Sequence, residues 1–139
     1  MKYKKGNILQ AEEDYICFTA NSVIKRNGEL VMGAGVAKAF RDNFKGISLE
    51  FGNKIEHLSE FNLLVIGRII ALQTKIHFKN PSPIDLIDRT ISKLNEFALE
   101  NSNKTIAMTL LGTLNGGLDE NMIKSKLNKL PDNITVYEI

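Results

Sequence analysis

Cysteine, tryptophan and histidine are scarce in this sequence of 139 residues, which contains one cysteine, no tryptophan and two histidines. Cys17 alone excludes an internal disulfide, and together with His57 and His77 it gives no spacing typical of a zinc site. No apolar run approaches the ~20 residues of a membrane span, and the N-terminal segment lacks the apolar stretch of a signal peptide. We therefore expect a cytoplasmic protein in a reducing setting, with no metal centre and no contact with a membrane.

An excess of charge of one sign is also lacking, because 18 basic residues face 16 acidic ones and leave a net charge of +2. This charge is too small to indicate non-specific capture of nucleic acid, so any contact with nucleic acid would have to be local. Internal repeats are absent as well. With 43% hydrophobic and 24% charged residues, the composition predicts one folded domain over residues 1–139, which we expect to be a monomer.

Apolar patterns predict the strands and helices of the first half of the chain. The run Tyr15–Ala20 is apolar on both faces, which is typical of a buried central strand. Apolar residues recur at helical spacing over residues 36–44, and residues 47–55 are predicted to be helical at least in part. Two strands follow at residues 63–66 and 69–72, with a tight turn between them.

Strands and helices alternate through the second half. Ser82 before Pro83 predicts a helix start, because serine caps the first turn and proline at the first helical position has no amide to satisfy. Residues 105–111 form another apolar strand, Asp119 begins a short helix and residues 134–139 form a last strand. This order predicts an α/β fold with helices on both faces of a mixed sheet of about six strands. Ligands bind such sheets beyond the carboxyl ends of the strands.

Two glycine-rich loops are candidates for phosphate binding. Residues 33–35 (Gly-Ala-Gly) lead into a helix, and residues 112–117 (Gly-Thr-Leu-Asn-Gly-Gly) lie between a buried strand and a helix. Each loop can direct free backbone amides at an anion, and two such loops suit a diphosphate. Neither is a Walker loop, and the first lacks the third glycine of the dinucleotide motif. Each loop taken alone can equally be a plain turn.

Three polar residues are weaker candidates. Lys75 ends a predicted strand and could attack carbon as a neutral amine, although a lysine there is more often simply solvated. Asp119 heads a helix, where an aspartate usually acts as a cap. Asn21 follows a buried strand and is more often a turn residue than a ligand. The residues by themselves therefore indicate a phosphate-binding α/β domain.

The order of these motifs resembles that of a macrodomain, the ADP-ribose-binding module, over nearly the whole chain. Residues 5–9 are similar to the opening Gly-Asp-Ile turn of that family, with Asn7 in place of the acid. Residues 19–22 resemble its strand that ends in asparagine, and residues 32–37 resemble its first phosphate loop. The resemblance implies a three-layer α/β/α sandwich.

Within the macrodomains, the likeness is to the branch of terminal ADP-ribose protein glycohydrolase and the DNA-ADP-ribose glycohydrolase antitoxins. That branch has a Met-Gly-Ala-Gly loop, a strand ending in Thr-Lys and a later Gly-Leu-Asp. Here these motifs are residues 32–35, 74–75 and 117–119, in the same order. Small macrodomains of this branch also occur in phages and in toxin–antitoxin systems, so a role in reversing ADP-ribosylation fits.

The resemblance also implies a role for each candidate residue. Asn7 and Ile8 would hold adenine, although the amide of Asn7 lacks the charge of the usual acid. Asn21 would lie near the distal ribose. Lys75 would attack its anomeric carbon, and Asp119 would assist proton transfer. The two loops would hold the diphosphate and the distal ribose through Gly33, Ala34, Gly35, Val36, Ala37, Thr113, Leu114, Asn115, Gly116 and Gly117.

Three functions are compatible with these residues. The first is a glycohydrolase that removes ADP-ribose from a protein carboxylate or a nucleobase with Lys75 as the nucleophile. The second is a phosphatase acting on ADP-ribose 1″-phosphate. The third is a non-catalytic reader of ADP-ribose or of a related nucleotide signal. In each case the expected partner is ADP-ribose, or a protein or DNA that carries it, and no cofactor is expected.

Overall fold

A computed structural model describes residues 1–111 and 117–138. Its strands and helices alternate along the chain as the sequence predicts. The helices are α1 (Gly35–Asn43), α2 (Ile47–Ile55), α3 (Ile84–Glu100) and α4 (Glu120–Leu127), and a short 3₁₀ helix covers Ile8–Gln10. The strands are β1 (Lys2–Lys5), β2 (Tyr15–Ala20), β3 (Leu63–Ile66), β4 (Ile69–Gln73), β5 (Ile106–Met108) and β6 (Ile134–Glu138).

The strands form one mixed sheet of six in the order β1-β6-β5-β2-β4-β3. Five strands are parallel to one another, and β3 at the edge is antiparallel to β4. The predicted strands β2 and β5 occupy the two central positions, as their apolar sequences indicate. Because five strands run the same way, their carboxyl ends meet at one edge of the sheet.

Helices cover both faces of the sheet, so the predicted three-layer α/β/α architecture is confirmed. On one face, Phe18 of β2 contacts Phe40 of α1 and Phe51 of α2, with ring centroids 5.4 and 5.2 Å apart. On the other face, Leu94 of α3 and Ile123 of α4 are fully buried with the opposite sides of β4, β5 and β6. Aromatic pairs of this kind add stability beyond the area that they bury.

Strand β1 has no apolar signal in the sequence. Its residues, Lys2–Lys5, are all exposed, and it pairs only with β6 at the edge of the sheet. Lysines on an edge strand disfavour pairing with another chain. Exposure of all four residues leaves no periodic pattern of burial. The parallel pairing with β6 therefore makes β1 a strand, since neither of its faces is packed into the core.

The sequence places three element boundaries incorrectly. Helix α3 begins at Ile84, and its N-cap is Pro83 and not Ser82. The buried Ser82 hydroxyl has no hydrogen-bond partner among the described residues. Strand β5 ends at Met108, and residues 109–110 line the cleft described below. Strand β4 extends by one residue to Gln73.

Within residues 1–111 and 117–138, no helix is both long enough and apolar enough to cross a bilayer.

Candidate functional site

A cleft of about 880 Å³ lies at the edge of the sheet where the parallel strands end. This is the edge at which open α/β sheets bind ligands. Four strands contribute to it, although they are far apart in sequence. The strand-end residues that line it are Thr19, Ala20, Asn21, Thr74, Lys75, Thr109, Leu110, Tyr137 and Glu138.

The start of α1 forms another wall of the cleft, from Gly33 to Ala37. No side chain of the described residues caps this helix, and its first turn is closed by Lys38 N donating to the Ala34 carbonyl at 3.2 Å. The amides before Lys38 therefore have no acceptor within the helix. Gly35 adopts a φ of 59°, which favours glycine. An added Cβ at Gly33 would meet no atom within 4 Å, so the backbone is open to the cleft. These features suit an anion.

Asn21 fixes the segment that leads to this loop. Its side-chain amide donates to the Val31 carbonyl at 3.0 Å, and its carbonyl oxygen accepts from the Val23 amide at 2.9 Å. Both ends of residues 23–31 are thus tied to the carboxyl end of β2. The position of the glycine loop depends on Asn21 for this reason.

Lys75 is half-buried directly after β4. Its backbone amide donates to the Ala20 carbonyl at 3.3 Å, as the Thr74 amide does at 2.9 Å. The Lys75 Nζ atom donates to the Phe78 carbonyl at 3.3 Å. The Lys75 backbone is therefore held at the carboxyl end of β2, the neighbour of β4 in the sheet.

Gln73 is a fully buried amide beneath Lys75. Its carbonyl oxygen accepts from the amides of Phe61 and Asn62 at 2.8 and 3.1 Å. Its side-chain nitrogen donates to the carbonyls of Ser59 and Lys75 at 2.9 and 3.1 Å. One buried side chain thus joins the backbone of Lys75 to residues 59–62.

The loop after Lys75 presents an aromatic rim. Phe78 lines the cleft and is 40% exposed. The His77 ring stacks on it with centroids 4.5 Å apart and an interplanar angle of 26°. Lys79 Nζ lies 5.9 Å from the centre of the Phe78 ring. The rim therefore combines a partly exposed aromatic ring with a neighbouring lysine.

Tyr137 lies in the cleft at the end of β6. Its hydroxyl donates to the carboxylate of Glu13, with 2.9 Å to Oε2 and a shorter contact to Oε1. Burial raises the pKa of the Tyr137 hydroxyl to about 12, and the hydrogen bond to Glu13 acts in the same direction. Gly6 packs beside this ring, since an added Cβ there would lie 3.5 Å from Tyr137 Cδ2. The residue 6–8 turn therefore borders the cleft.

Comparison with solved structures identifies the fold. The macrodomain of Mycobacterium tuberculosis DarG superposes with a TM-score of 0.83 and 26% sequence identity, covering 99% of this chain and 97% of that one. The chain has the macrodomain fold. The macrodomain of Thermus aquaticus DarG gives a TM-score of 0.81 at 25% identity, covering 98% and 95%. Thermosipho africanus DarTG in complex with ADP-ribose gives 0.79 at 20% identity, covering 97% of this chain and 40% of that one.

Curated proteins give a consistent likeness. This macrodomain is 28% identical to a DNA ADP-ribosyl glycohydrolase of Mycobacterium tuberculosis over 94% of its length, and 26% identical to one of Thermus aquaticus over its whole length. It spans only 39% and 40% of the length of those relatives. No model of a protein family matches the sequence.

The macrodomain brings together several of the residues singled out in the sequence. Lys75, Asn21, Gly117 and residues 33–37 all line the cleft. Gly117 has a φ of 73°. Thr113, Leu114, Asn115 and Gly116 of the second predicted loop lie outside the described residues.

Three other predicted residues lie next to the residues that line the cleft. Asn7 is exposed and its Oδ1 accepts from the Leu9 amide at 2.9 Å, while Ile8 is buried in the core. Neither belongs to the described residues that line the cleft, although their turn borders Tyr137. Asp119 occupies the N-cap position of α4 and is exposed, whereas the next residue, Glu120, lines the cleft.

Sequence reasoning missed Tyr137, Glu138, Phe78 and Glu120. The first two could have been found, because they end a predicted strand of the sheet and ligands bind at carboxyl ends. Phe78 has no such signal, since its role depends on how the loop after β4 folds over the cleft.

Proposed function

We propose that this macrodomain binds ADP-ribose in the cleft and hydrolyses the bond between ADP-ribose and a protein carboxylate or nucleobase. The observation that carries the proposal is the position of Lys75. This half-buried amine lies in the same cleft as the open amides at the start of α1. An anion-binding wall and a candidate nucleophile thus face one space large enough for a dinucleotide-sized ligand.

The relatives support the choice of ligand and reaction. The solved DarTG structure is a complex with ADP-ribose, and both curated relatives are named DNA ADP-ribosyl glycohydrolases. In the proposed pose the diphosphate accepts from the amides of residues 33–37. The adenosine extends toward the turn that contains Asn7 and Ile8, and the distal ribose lies near Asn21 and Lys75. The resemblance in sequence also assigns residues 113–117 to the diphosphate.

The proposed reaction has two steps. The Lys75 amine, after losing a proton, attacks the anomeric carbon of the distal ribose, and the bond to the leaving group breaks with its electron pair. A leaving nucleobase gains a proton at the released atom, whereas a carboxylate leaves as the anion. Water then attacks the same carbon, which releases ADP-ribose and restores the amine. Asp119 is the proposed group that accepts and returns the proton, because it heads α4 at the border of the cleft.

A Lys75→Ala variant tests this mechanism. Turnover of ADP-ribosylated DNA and protein should fall to background, while the affinity for ADP-ribose measured by calorimetry should remain nearly unchanged, because backbone amides hold the diphosphate. The exposed Lys93 on α3 provides the matched control, and Lys93→Ala should change neither quantity.

The other outcomes identify the alternatives. Full activity in Lys75→Ala would exclude the lysine mechanism. Tight binding of ADP-ribose by the wild-type protein without turnover of any substrate would identify a non-catalytic reader. Hydrolysis of ADP-ribose 1″-phosphate alone would identify a phosphatase.

A further inference from the structure

We propose that Gln73 is a positioning residue for Lys75, which means that it fixes the backbone from which the amine extends and does not touch the ligand. The inference rests on the proposed function for the role of Lys75 as the nucleophile. It goes beyond that function because it makes the rate of the reaction depend on a side chain buried beneath the cleft.

Gln73 is a polar residue in a part of the core that is otherwise apolar. It ends β4, in which residues 69–72 are all apolar and buried. Gln73 is itself fully buried and is not among the described residues that line the cleft, whereas Thr74 and Lys75 are. Burial of an amide costs free energy unless its polar atoms find partners. Packing alone would therefore favour an apolar residue at this position.

Both backbone polar groups of Lys75 have fixed partners, and Gln73 supplies one of them. The Lys75 amide donates to the Ala20 carbonyl at 3.3 Å. The Lys75 carbonyl accepts from Gln73 Nε2 at 3.1 Å. Because the planar peptide groups on both sides of the Cα atom are held, the direction of its Cα–Cβ bond is held as well. That bond carries the amine whose Nζ donates to the Phe78 carbonyl at 3.3 Å.

The Ser59 carbonyl anchors this arrangement outside β4. It accepts from Gln73 Nε2 at 2.9 Å and from Ser22 Oγ at 2.9 Å. The same Ser22 hydroxyl lies 3.1 Å from the Ile76 carbonyl. One carbonyl between α2 and β3 is thus connected, through two side chains, to the consecutive carbonyls of Lys75 and Ile76. The connection is absent from any local pattern, because its members come from three separate segments.

Gln73 is itself held at each of its four polar groups. Its side-chain oxygen accepts from the amides of Phe61 and Asn62, and its backbone amide donates to the Asn62 carbonyl at 2.8 Å. Its backbone carbonyl accepts from the buried Thr90 hydroxyl at 2.7 Å. The nitrogen that bonds to the Lys75 carbonyl is therefore fixed from both ends of the side chain.

The test compares kcat with ADP-ribose affinity in Gln73→Leu and Gln73→Glu. Leucine removes all four hydrogen bonds of the side chain. An ionised glutamate keeps the acceptor for the amides of residues 61–62 and removes only the donor to the carbonyls of Ser59 and Lys75. We expect kcat to fall about 10- to 100-fold in both variants, because displacement of a reacting group by about 1 Å costs on the order of 100-fold. ADP-ribose affinity measured by calorimetry should remain nearly unchanged, because the amides of residues 33–37 hold the diphosphate.

Leu94→Ala is the control for lost stability. Leu94 is fully buried and lies about 15 Å along α3 from the first residue of that helix, far from the cleft. The cavity should destabilise the protein as Gln73→Leu does, but kcat of the folded variant should equal that of the wild type. Rates are measured at a temperature at which circular dichroism shows each variant to be folded. If leucine at position 73 prevents folding, Gln73→Glu alone decides.

A second measurement follows the Lys75 amine and needs no turnover. The lysines are methylated reductively with ¹³C, and the NMR signal of Lys75 is the one that Lys75→Arg removes. In the Gln73 variants this signal should move toward that of Lys93, which is exposed on α3. Leu94→Ala should leave it in place.

Three results would overturn the positioning role. The first is an unchanged Lys75 signal in the folded Gln73 variants, and the second is a loss of kcat in Leu94→Ala as large as in Gln73→Leu. The third is an ADP-ribose affinity that falls in parallel with kcat, because the whole cleft would then have moved. A displaced Lys75 signal in a protein whose wild type shows no turnover would support the positioning role and refute only the glycohydrolase.

Discussion

At the scale of residues, the segment that carries Lys75 is held mainly by hydrogen bonds to its backbone. Two side chains donate to this segment: Gln73 donates to the Lys75 carbonyl, and Ser22 donates to the Ile76 carbonyl at 3.1 Å. The Ser22 amide also donates to the Ile76 carbonyl at 3.0 Å. The backbone on both sides of the lysine is thus fixed, and the Nζ atom makes its own hydrogen bond to the Phe78 carbonyl.

Replacement of Gln73 by leucine should destabilise the fold. The change leaves two amides and two carbonyls of residues 59–62 and 75 without their present partner, and a buried polar group without a partner costs about 1–3 kcal/mol. We expect a loss of about 2–4 kcal/mol in the free energy of unfolding, measured by urea denaturation. Gln10→Leu is the matched control, because Gln10 is exposed, and it should change stability little. Equal stability of the two variants would show that the Gln73 hydrogen bonds contribute nothing.

The Tyr137 hydroxyl should make stability depend on alkaline pH. Its pKa in the folded protein is about 12 against an ordinary value of 10.0, so the fold favours the protonated phenol. This contribution to stability is fully present below pH 10 and is lost as pH rises from 10 toward 12. In a pH titration followed by phenolate absorbance, a tyrosine should ionise above its ordinary pH, and Tyr137→Phe should remove that ionisation. In Glu13→Gln the pH midpoint of Tyr137 ionisation should move down toward the ordinary value, because the neighbouring negative charge is gone. An unchanged midpoint would mean that burial alone raises the pKa of Tyr137.

At the scale of elements, helix α2 approaches the loop of residues 25–30 through Gly52. The Leu30 amide donates to the Ser48 carbonyl at 2.9 Å, which joins the loop to the helix. A Cβ added at Gly52 would lie 1.9 Å from the Gly28 carbonyl oxygen and 3.0 Å from the Leu30 nitrogen. Both of those atoms belong to the backbone, so a side chain at this position forces the helix and the loop apart.

Gly52→Ala should therefore destabilise the protein, by about 1–3 kcal/mol or more. Thermal unfolding followed by circular dichroism measures the loss. Gly33→Ala serves as the control for the same chemical change, since its Cβ would meet nothing within 4 Å, and its melting temperature should match the wild type. A Gly52→Ala protein as stable as the wild type would mean that helix and loop can separate at little cost.

At the scale of the whole molecule, the cleft exists because strands that are distant in sequence end at one edge. Residues 19–21, 74–75, 109–110 and 137–138 meet there only through the order β6-β5-β2-β4. Local patterns predict each strand separately, but the strand order depends on which pairings bury both faces of the sheet together. The sequence therefore indicated a cleft at the carboxyl ends without indicating all of its residues.

Local periodicity and composition account for part of this structure. The apolar run of β2, the helical spacing in α1 and α2, and the alternation of the second half predict the three-layer fold. The glycines of residues 33–35 and their place before a helix predict an open backbone in the cleft. These features depend on neighbours within a few residues, so the sequence alone contains them.

The remaining features depend on contacts between residues that are distant in the sequence. Lys2–Lys5 is a strand because β6 pairs with it, and Pro83 rather than Ser82 precedes the first turn of α3. Tyr137 enters the cleft because β6 lies between β1 and β5, and Phe78 reaches its rim because the loop after β4 turns back toward Lys75. The physical reason is the same in each case. The free energy of these contacts comes from groups that folding brings together, so local sequence patterns do not predict them.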